Sequence, residues 1–405
     1  MQVLADQALV SGASFLTNIL VARSIGISEY GVFSTIILIQ LFLLSIQQAA
    51  SSGLFQVLWG RFEGAQKINY TNGLFYAQCF LYFLLLCVCL CIYILNPSLL
   101  VTYNKIISPA ILATFLFLLQ DFLRKIFLSS EKEHRALLID FVTNFLQICL
   151  LAYYALLQKL DLPAACWIVA ITYIPSVILG IYWLRPGPII FRNIRFAWKN
   201  HKEQSGWMFL SAIVQWLAGN FFVLAAGWWL GAAALGALRL AQYIFGLLNV
   251  VLQAVENYVL PKASLIQHSD IQFRKFLLTV WKKTILIFIP AITLLVLFSE
   301  VIMKMAGGQS YTGYSYVIYG LSVVYVVIIT SLPIRIALRV KLLGQNYFIG
   351  YVLSAIFSIL TAKWLLLNWQ LYGVLVGLLI TQLIVVVYWI LILKSKNILL
   401  WKLSI

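Results

Sequence analysis

Charge is what this sequence has least of. Only 10% of its 405 residues are Asp, Glu, Lys or Arg, against 63% hydrophobic residues and a mean hydropathy of +0.97. That balance excludes a water-soluble globular protein. Long polar stretches are missing too, which leaves room for linkers but not for an aqueous domain. Histidine is scarce: His134, His201 and His268 all fall in polar connections. The six cysteines, Cys79, Cys87, Cys89, Cys91, Cys149 and Cys166, lie inside apolar runs, and Cys87, Cys89 and Cys91 lack the spacing of a zinc site. A metal centre, a catalytic triad and a cofactor all lack the residues they would need, so the chain reads as a non-enzyme. No basic stretch precedes Val3, and no small-residue cleavage site is visible. The first helix is expected to serve as its own insertion signal.

What is present is a succession of apolar segments of about twenty residues, the length that crosses a bilayer. Twelve spans are expected, at 3–22, 32–58, 72–95, 106–128, 136–157 and 163–184, then 205–230, 236–259, 284–303, 314–338, 347–367 and 371–393. The basic residues are distributed unevenly among the connections. Arg124, Lys125, Lys132 and Arg135 share one connection, Arg185 to Lys202 the next on the same side, and Lys262 to Lys283, Arg335 to Lys341 and Lys394 to Lys402 follow. Only Arg23, Lys105, Lys159, Arg239, Lys304 and Lys363 fall on the opposite side. By the positive-inside rule both termini are cytoplasmic in a multi-pass protein. The net charge of +16 is then largely a mark of topology and calls for no nucleic-acid partner. Residues 1–184 form a first six-helix bundle, 185–204 a cytoplasmic interfacial linker and 205–405 a second bundle. In the linker Phe191, Ile194 and Trp198 follow helical spacing among basic residues, which predicts a helix lying in the interface. Segment 270–283 repeats the theme with Phe273, Phe276, Leu277, Val280 and Trp281.

The chain is organised around the stretch from Asn18 to Phe33, N-I-L-V-A-R-S-I-G-I-S-E-Y-G-V-F, an apolar helix, a break at Gly26 and a second helix. A fainter copy runs from Asn220 to Arg239. Asn220 answers Asn18, and Gly231 and Gly236 answer Gly26 and Gly31 after a three-residue insertion. Two halves built on one hairpin suggest a transporter whose site lies between them.

Polar residues recur on single helical faces. Gln7, Ser11, Ser14 and Asn18 do so in span 1, and Gln40, Gln47 and Ser51 in span 2. Gln204, Ser211, Gln215 and Gly219 follow in span 7, and Arg239, Gln242, Gly246, Asn249, Gln253 and Glu256 in span 8. Facing lipid, such rows would be unsatisfied, so each must face protein or a watery cavity. Interhelical packing accounts for the first three as readily as a cavity does. The span 8 row is charged at both ends, and intramembrane charge points to function. Arg23 and Arg239 suggest a pair of anion contacts near the outer mouth, although terminal arginines commonly snorkel to headgroups. Nearer the inner boundary, Asp121 can pair with Arg124 or Lys125 within its own helix. Asp140, Arg335 and Arg339 are candidate gate residues, with Arg335 lacking an acid nearby in sequence. Asp6, Asp121, Arg124, Asp140 and Glu256 are together the candidates for coupling or gating. Arg23, Arg239, Arg335, Gln242, Asn249, Gln253, Asn18 and Gln215 are those for the cavity.

The stretch Q-A-L-V-S-G-A-S-F-L-T-N-I-L-V-A-R-S-I-G-I-S-E-Y-G-V-F-S, Gln7 to Ser34, resembles the opening of bacterial oligosaccharide-lipid flippases. These are the O-antigen and polysaccharide exporters of the multidrug/oligosaccharidyl-lipid/polysaccharide (MOP) exporter superfamily. L-A-Q-Y-I…E-N-Y-V-L-P-K-A-S, Leu240 to Ser264, and Y-G-V-L-V-G, Tyr372 to Gly377, extend the likeness. It implies an all-α integral membrane protein with two pseudo-symmetric six-helix bundles around a central cavity that opens alternately to either side. It implies a polyprenyl-pyrophosphate-linked sugar repeat unit as substrate, moved between leaflets of the inner membrane for O-antigen, lipopolysaccharide or other surface polysaccharide. H+ or Na+ would be the coupling ion, and membrane lipids, a polysaccharide polymerase and its chain-length machinery would be partners. Thr17 and Asn18 stand where the lipid II branch has a basic–acidic pair, and Ala241, Gln242 and Tyr243 where it has a basic residue. Lipid II is therefore disfavoured as cargo. Two other classes compete. A cation-coupled multidrug antiporter shares the fold but would favour an acidic cavity. An O-antigen polymerase or ligase usually carries a long periplasmic loop, whereas every outer connection here is short.

Overall fold

The computed structural model describes the backbone of residues 2–95, 97–396 and 398. It describes the side chains of 9–89, 91, 94–95, 104–202, 205–396 and 398. Helices make up the fold: α1 (Gln2–Ile25), α2 (Ile27–Gln47), α3 (Gly53–Leu58), α4 (Gly64–Leu95), α5 (Pro97–Ser129), α6 (Glu133–Leu156) and α7 (Leu162–Leu184). The second part of the chain continues with α8 (Phe191–Trp229), α9 (Ala232–Leu265), α10 (Asp270–Leu297), α11 (Ser299–Gly307), α12 (Tyr316–Thr330), α13 (Leu332–Val340) and α14 (Gly344–Ser395). Among the described residues ten helical stretches are long and apolar enough to cross a membrane, and Leu9–Ile25 is a shorter apolar one. The last of the ten is two helices merged across a break at Gln370, where φ is 50°. Counting both halves and α1 gives the expected twelve.

The ninth expected span, 284–303, needs correction. Its helix starts at Asp270 and stops at Leu297, and α11 begins afresh at Ser299. The apolar run does not mark this break. It is a local one, in which Phe298 leaves the helical region and the Ser299 hydroxyl donates to Tyr319 at 3.1 Å.

The chain forms two compact units, Met1–Ile25 with Thr35–Ile213, and Gly26–Ser34 with Val214–Ile405. In the first unit α5 lies along α7, and α1 along α6. Its core holds Leu54, Phe55, Tyr70, Phe122, Phe127, Ile139 and Ala197, all buried. Asp161 caps α7 by accepting from the Ala164 N–H at 2.8 Å, and Arg185 ends it in the left-handed region. The amphipathic start of α8 belongs to this unit and is two-faced. Asn193, Ala197 and His201, spaced by four, are buried, whereas Phe191 and Trp198 are exposed. The aromatic stripe thus points away from protein, as a helix at a lipid interface requires. The analogous part of α10 is reversed: Phe273 and Leu277 are buried against the second unit.

In the second unit α12 packs on α14, α10 and α9, and α13 on α14 and α9. Large apolar side chains such as Phe80 on α4, Leu286 on α10 and Leu360 on α14 are exposed. Outward leucines and phenylalanines in such numbers are costly in water and neutral in lipid.

Candidate functional site

The glycine hairpins come first, because they set where the charged side chains fall. Gly26 has φ 82° and Gly231 φ 90°, a region that is cheap only for glycine, so the chain turns at the same point of each copy. Asn18 and Asn220, the matched asparagines, donate to the carbonyls of Ser14 and Trp216, four residues back, at 2.7 and 3.0 Å. The second glycines do more. A Cβ on Gly31 would fall on the carbonyl oxygen of Ala232, and a Cβ on Gly236 on that of Ile27. Ala232 is the repeat counterpart of Ile27, as Gly236 is of Gly31. The starts of α2 and α9 therefore cross backbone to backbone through a reciprocal contact within the second unit.

Arg239 lies one turn beyond that crossing. It is 7% exposed, close to the equally buried Gly31, Tyr30 and Phe33 layer, in which Tyr30 meets Tyr311 edge-on at 6.5 Å. One guanidinium nitrogen donates to Gln242 Oε1 at 3.1 Å and another to the Tyr243 hydroxyl at 3.0 Å, and the group sits 4.8 Å from the Tyr243 ring centre. Its Nε is buried without a hydrogen-bond partner, and no carboxylate pairs with it among the described residues. Arg23, by contrast, is exposed in the last turn of α1. The two arginines are not equivalents of one another in the repeat: Arg23 precedes its first glycine, Arg239 follows its second.

At the far end of α9 lies the partner of Arg335, a residue with no acid near it in sequence. The Arg335 Nη2 lies 2.7 Å from Glu256, and Arg339 bonds the other oxygen of that carboxylate. Sequence spacing could not reveal a pairing across so many residues. Glu256 is thereby the clamp between α9 and α13 rather than a bare acid. Asn249 donates to the Tyr325 hydroxyl at 2.6 Å, while Gln253 and Gln215 are exposed. Gln242, as above, serves Arg239.

The first unit holds two polar clusters. Asp121 feels the charges of Lys125 and Arg124 on its own helix, but its hydrogen bonds come from elsewhere. Gln47 and Gln48 donate to its two oxygens at 3.4 and 3.5 Å, and Gln47 in turn accepts from Tyr82 at 2.6 Å. This group abuts a single turn of π-helix, Gln48–Ser52, an irregularity common at functional sites. Arg124 reaches across instead to Asp140 at 2.8 Å, and Gln120 donates to the same carboxylate at 2.8 Å. Thr143 joins that group by donating to Gln120 and bonding Ser176. Gln120, Thr143, Ser176, and Gln147, which donates to Thr17, were not singled out from the sequence. A polar residue every third or fourth position in α5 and α6 was the available signal. In the span 2 row Gln40 donates to Thr114 and Gln47 to the Leu118 carbonyl, whereas the buried Ser51 hydroxyl has no hydrogen-bond partner. Asn18 is buried on its own helix. The side chains of Asp6, Gln7 and Gln204 lie outside the described residues.

Residues 20–316 match the model of a family described as polysaccharide biosynthesis protein. No curated protein matches the chain. Among solved structures, the lipid II flippase MurJ in an inward closed conformation superposes with a TM-score of 0.74 at 14% identity, over 97% of this chain and 88% of that one. An inward-facing multidrug resistance MATE family transporter of the MOP superfamily gives 0.68 at 14%, over 98% and 96%. A MOP superfamily transporter from Pyrococcus furiosus, noted for the reverse polarity of its binding pocket, gives 0.63 at 12%, over 98% and 95%. At such identities the likeness is one of fold.

Proposed function

The chain belongs to the polysaccharide biosynthesis protein family, and from that premise we propose that it is a flippase for a polyprenyl-pyrophosphate-linked oligosaccharide repeat unit. Transport runs by alternating access from the cytoplasmic to the periplasmic leaflet of the bacterial inner membrane, supplying O-antigen or another surface polysaccharide. The observation that carries this reading is Arg239, a buried guanidinium with no carboxylate against it among the described residues and with Nε unpartnered. An uncompensated cation at membrane depth costs several kcal/mol, which an arriving anion would offset. Arginine stays charged and offers a planar fork that grips two phosphate oxygens at once. Gln242 and Tyr243 hold that fork in place without neutralising it. Withdrawal of the Gly26–Ser34 segment from α9 would uncover it.

The test is transport of a lipid-linked oligosaccharide in proteoliposomes and surface polysaccharide in cells. Arg239→Ala should cut both by about tenfold or more while the amount of protein in the membrane holds. Arg239→Lys, which keeps the charge and loses the fork, should restore part. Full transport by Arg239→Ala would remove the basis for a pyrophosphate contact here.

Asp121 is the favoured coupling residue, because it is a buried carboxylate whose hydrogen bonds are two long amide contacts beside an irregular turn, with the bases Lys125 and Arg124 of its own helix near it. It would take up H+ or Na+. Asp121→Asn should then leave binding of the lipid-linked sugar intact and abolish the response of transport to an imposed ion gradient. An unchanged gradient response would assign coupling elsewhere.

A further inference from the structure

The first unit contains a charged cavity, remote in sequence from Arg239. It measures about 190 Å3 and is floored by the buried Ile126 and Phe127 of α5. Three cations line it and no acid does: Lys67 from α4, Lys132 from the turn before α6, and Arg185 at the end of α7. Two of these are positioned by rings rather than by carboxylates. The Lys67 ammonium sits 4.1 Å from the Trp59 ring centre, and the Arg185 guanidinium 5.8 Å from that of Tyr182. A ring orients a cation while leaving its charge available, which a carboxylate would not. Arg185 is also fixed by its backbone, since it occupies the left-handed cap of α7 at φ 49°. The Asn72 amide adds N–H donors to the wall.

The cavity also borders the apolar surface of the unit. Ile68, one of its lining residues, is 63% exposed, and Trp183, another, supplies an amphipathic ring of the kind that sits at headgroup level. The bias of basic residues places these connections at the cytoplasmic leaflet, where anionic lipids concentrate. Basic pockets between spans on that side suit phosphorylated headgroups. We infer that this cavity binds a phosphate group, that of an anionic phospholipid whose chains lie along Ile68. The assignment is independent of the transport substrate, because every residue it uses lies in the first unit, whereas Arg239 belongs to the second.

Full-length protein purified in detergent would be titrated with phosphatidylglycerol, phosphatidylcholine or inorganic phosphate and read by native mass spectrometry. Phosphatidylglycerol should be retained in preference to phosphatidylcholine. The triple substitution Lys67→Gln, Lys132→Gln, Arg185→Gln should weaken its retention by about tenfold or more, since each base near a membrane surface contributes about 1 kcal/mol. Neutralising Lys275, Lys282 and Lys283 on α10 removes the same charge from exposed positions elsewhere and should change little. Displacement of the lipid by millimolar phosphate would support the phosphate as the group recognised. Equal retention of the two lipids, or equal loss in the α10 control, would overturn the site. Binding of inorganic phosphate alone, lost in the triple variant and with no lipid retained, would overturn the lipid assignment in favour of a free anion. Should the triple variant not fold, Lys132→Gln alone, at an exposed side chain, should still give a partial loss.

Discussion

Single residues carry most of the information about function, and they were also the least legible. Arg239 was visible as a charge in an apolar helix, but its isolation from acids was not. Arg335 illustrates the converse, since its partner Glu256 is distant in sequence and spacing rules reach only one turn. Glu256→Gln should leave two guanidinium groups facing a neutral amide. A fully buried broken pair costs more, but Arg339 is partly exposed, so a loss of roughly 1–3 kcal/mol is expected as a lower thermal midpoint in detergent. A variant as stable as the parent would show that the clamp contributes nothing to folding. His201 offers a pH test at the same scale. Its Nδ1 faces the carbonyl of Ala50, in the π-helical turn, at 3.1 Å and so must donate to it. Nε2 is then the acceptor for the Tyr70 hydroxyl at 2.6 Å. Burial, partly offset by the bond to Ala50, holds the His201 pKa below its ordinary value, so the folded protein favours the neutral ring. The unfolded chain binds the proton more readily. The stabilisation is therefore complete above the unfolded pKa of about 6.5 and is lost as pH falls through it toward the folded value. Thermal midpoints measured from pH 8 to pH 5 should show this step, and His201→Asn should flatten it.

Helices and turns were more legible, for a physical reason. A bilayer demands about twenty apolar residues per crossing, so spans announce themselves by composition alone. The hairpin glycines were equally readable, because positive φ at Gly26 and Gly231 leaves little choice of residue. Irregularities that keep the apolar pattern stayed hidden. The π-helical turn at Gln48–Ser52 and the break at Phe298 interrupt hydrogen bonding without altering hydropathy. The reciprocal contact of Gly31 and Gly236 was hidden in another way, since a repeat does not say that its copies touch. That contact is backbone on backbone, so an added methyl group has nothing flexible to displace. Gly31→Ala and Gly236→Ala should each lower the thermal midpoint, at a cost of about 1–3 kcal/mol. Once one substitution has parted the helices, the second has less left to disturb, so the double variant should fall short of the sum. Strict additivity would mean that the two glycines do not share one crossing.

For the molecule as a whole, the distribution of its bases is the testable quantity. Reporter fusions after Lys202 and after Lys394 should report cytoplasm, and one near Lys105 should report periplasm. A periplasmic signal at Lys202 would overturn the twelve-span arrangement. The glycine crossing has a consequence at this scale as well. A contact in which one residue meets a second, while the counterpart of the second meets the counterpart of the first, is the signature of an isologous twofold interface. Such geometry is native to a dimer of identical chains, and a fused duplicate inherits it. In a dimer, however, every side chain near the axis comes in twos. Here the position matching Arg239 in the first copy is Ser34, so the charge beside the crossing is present once. Fusion freed the two copies to differ, and a lone cation can meet a single anionic cargo without a twin to repel it or to share it.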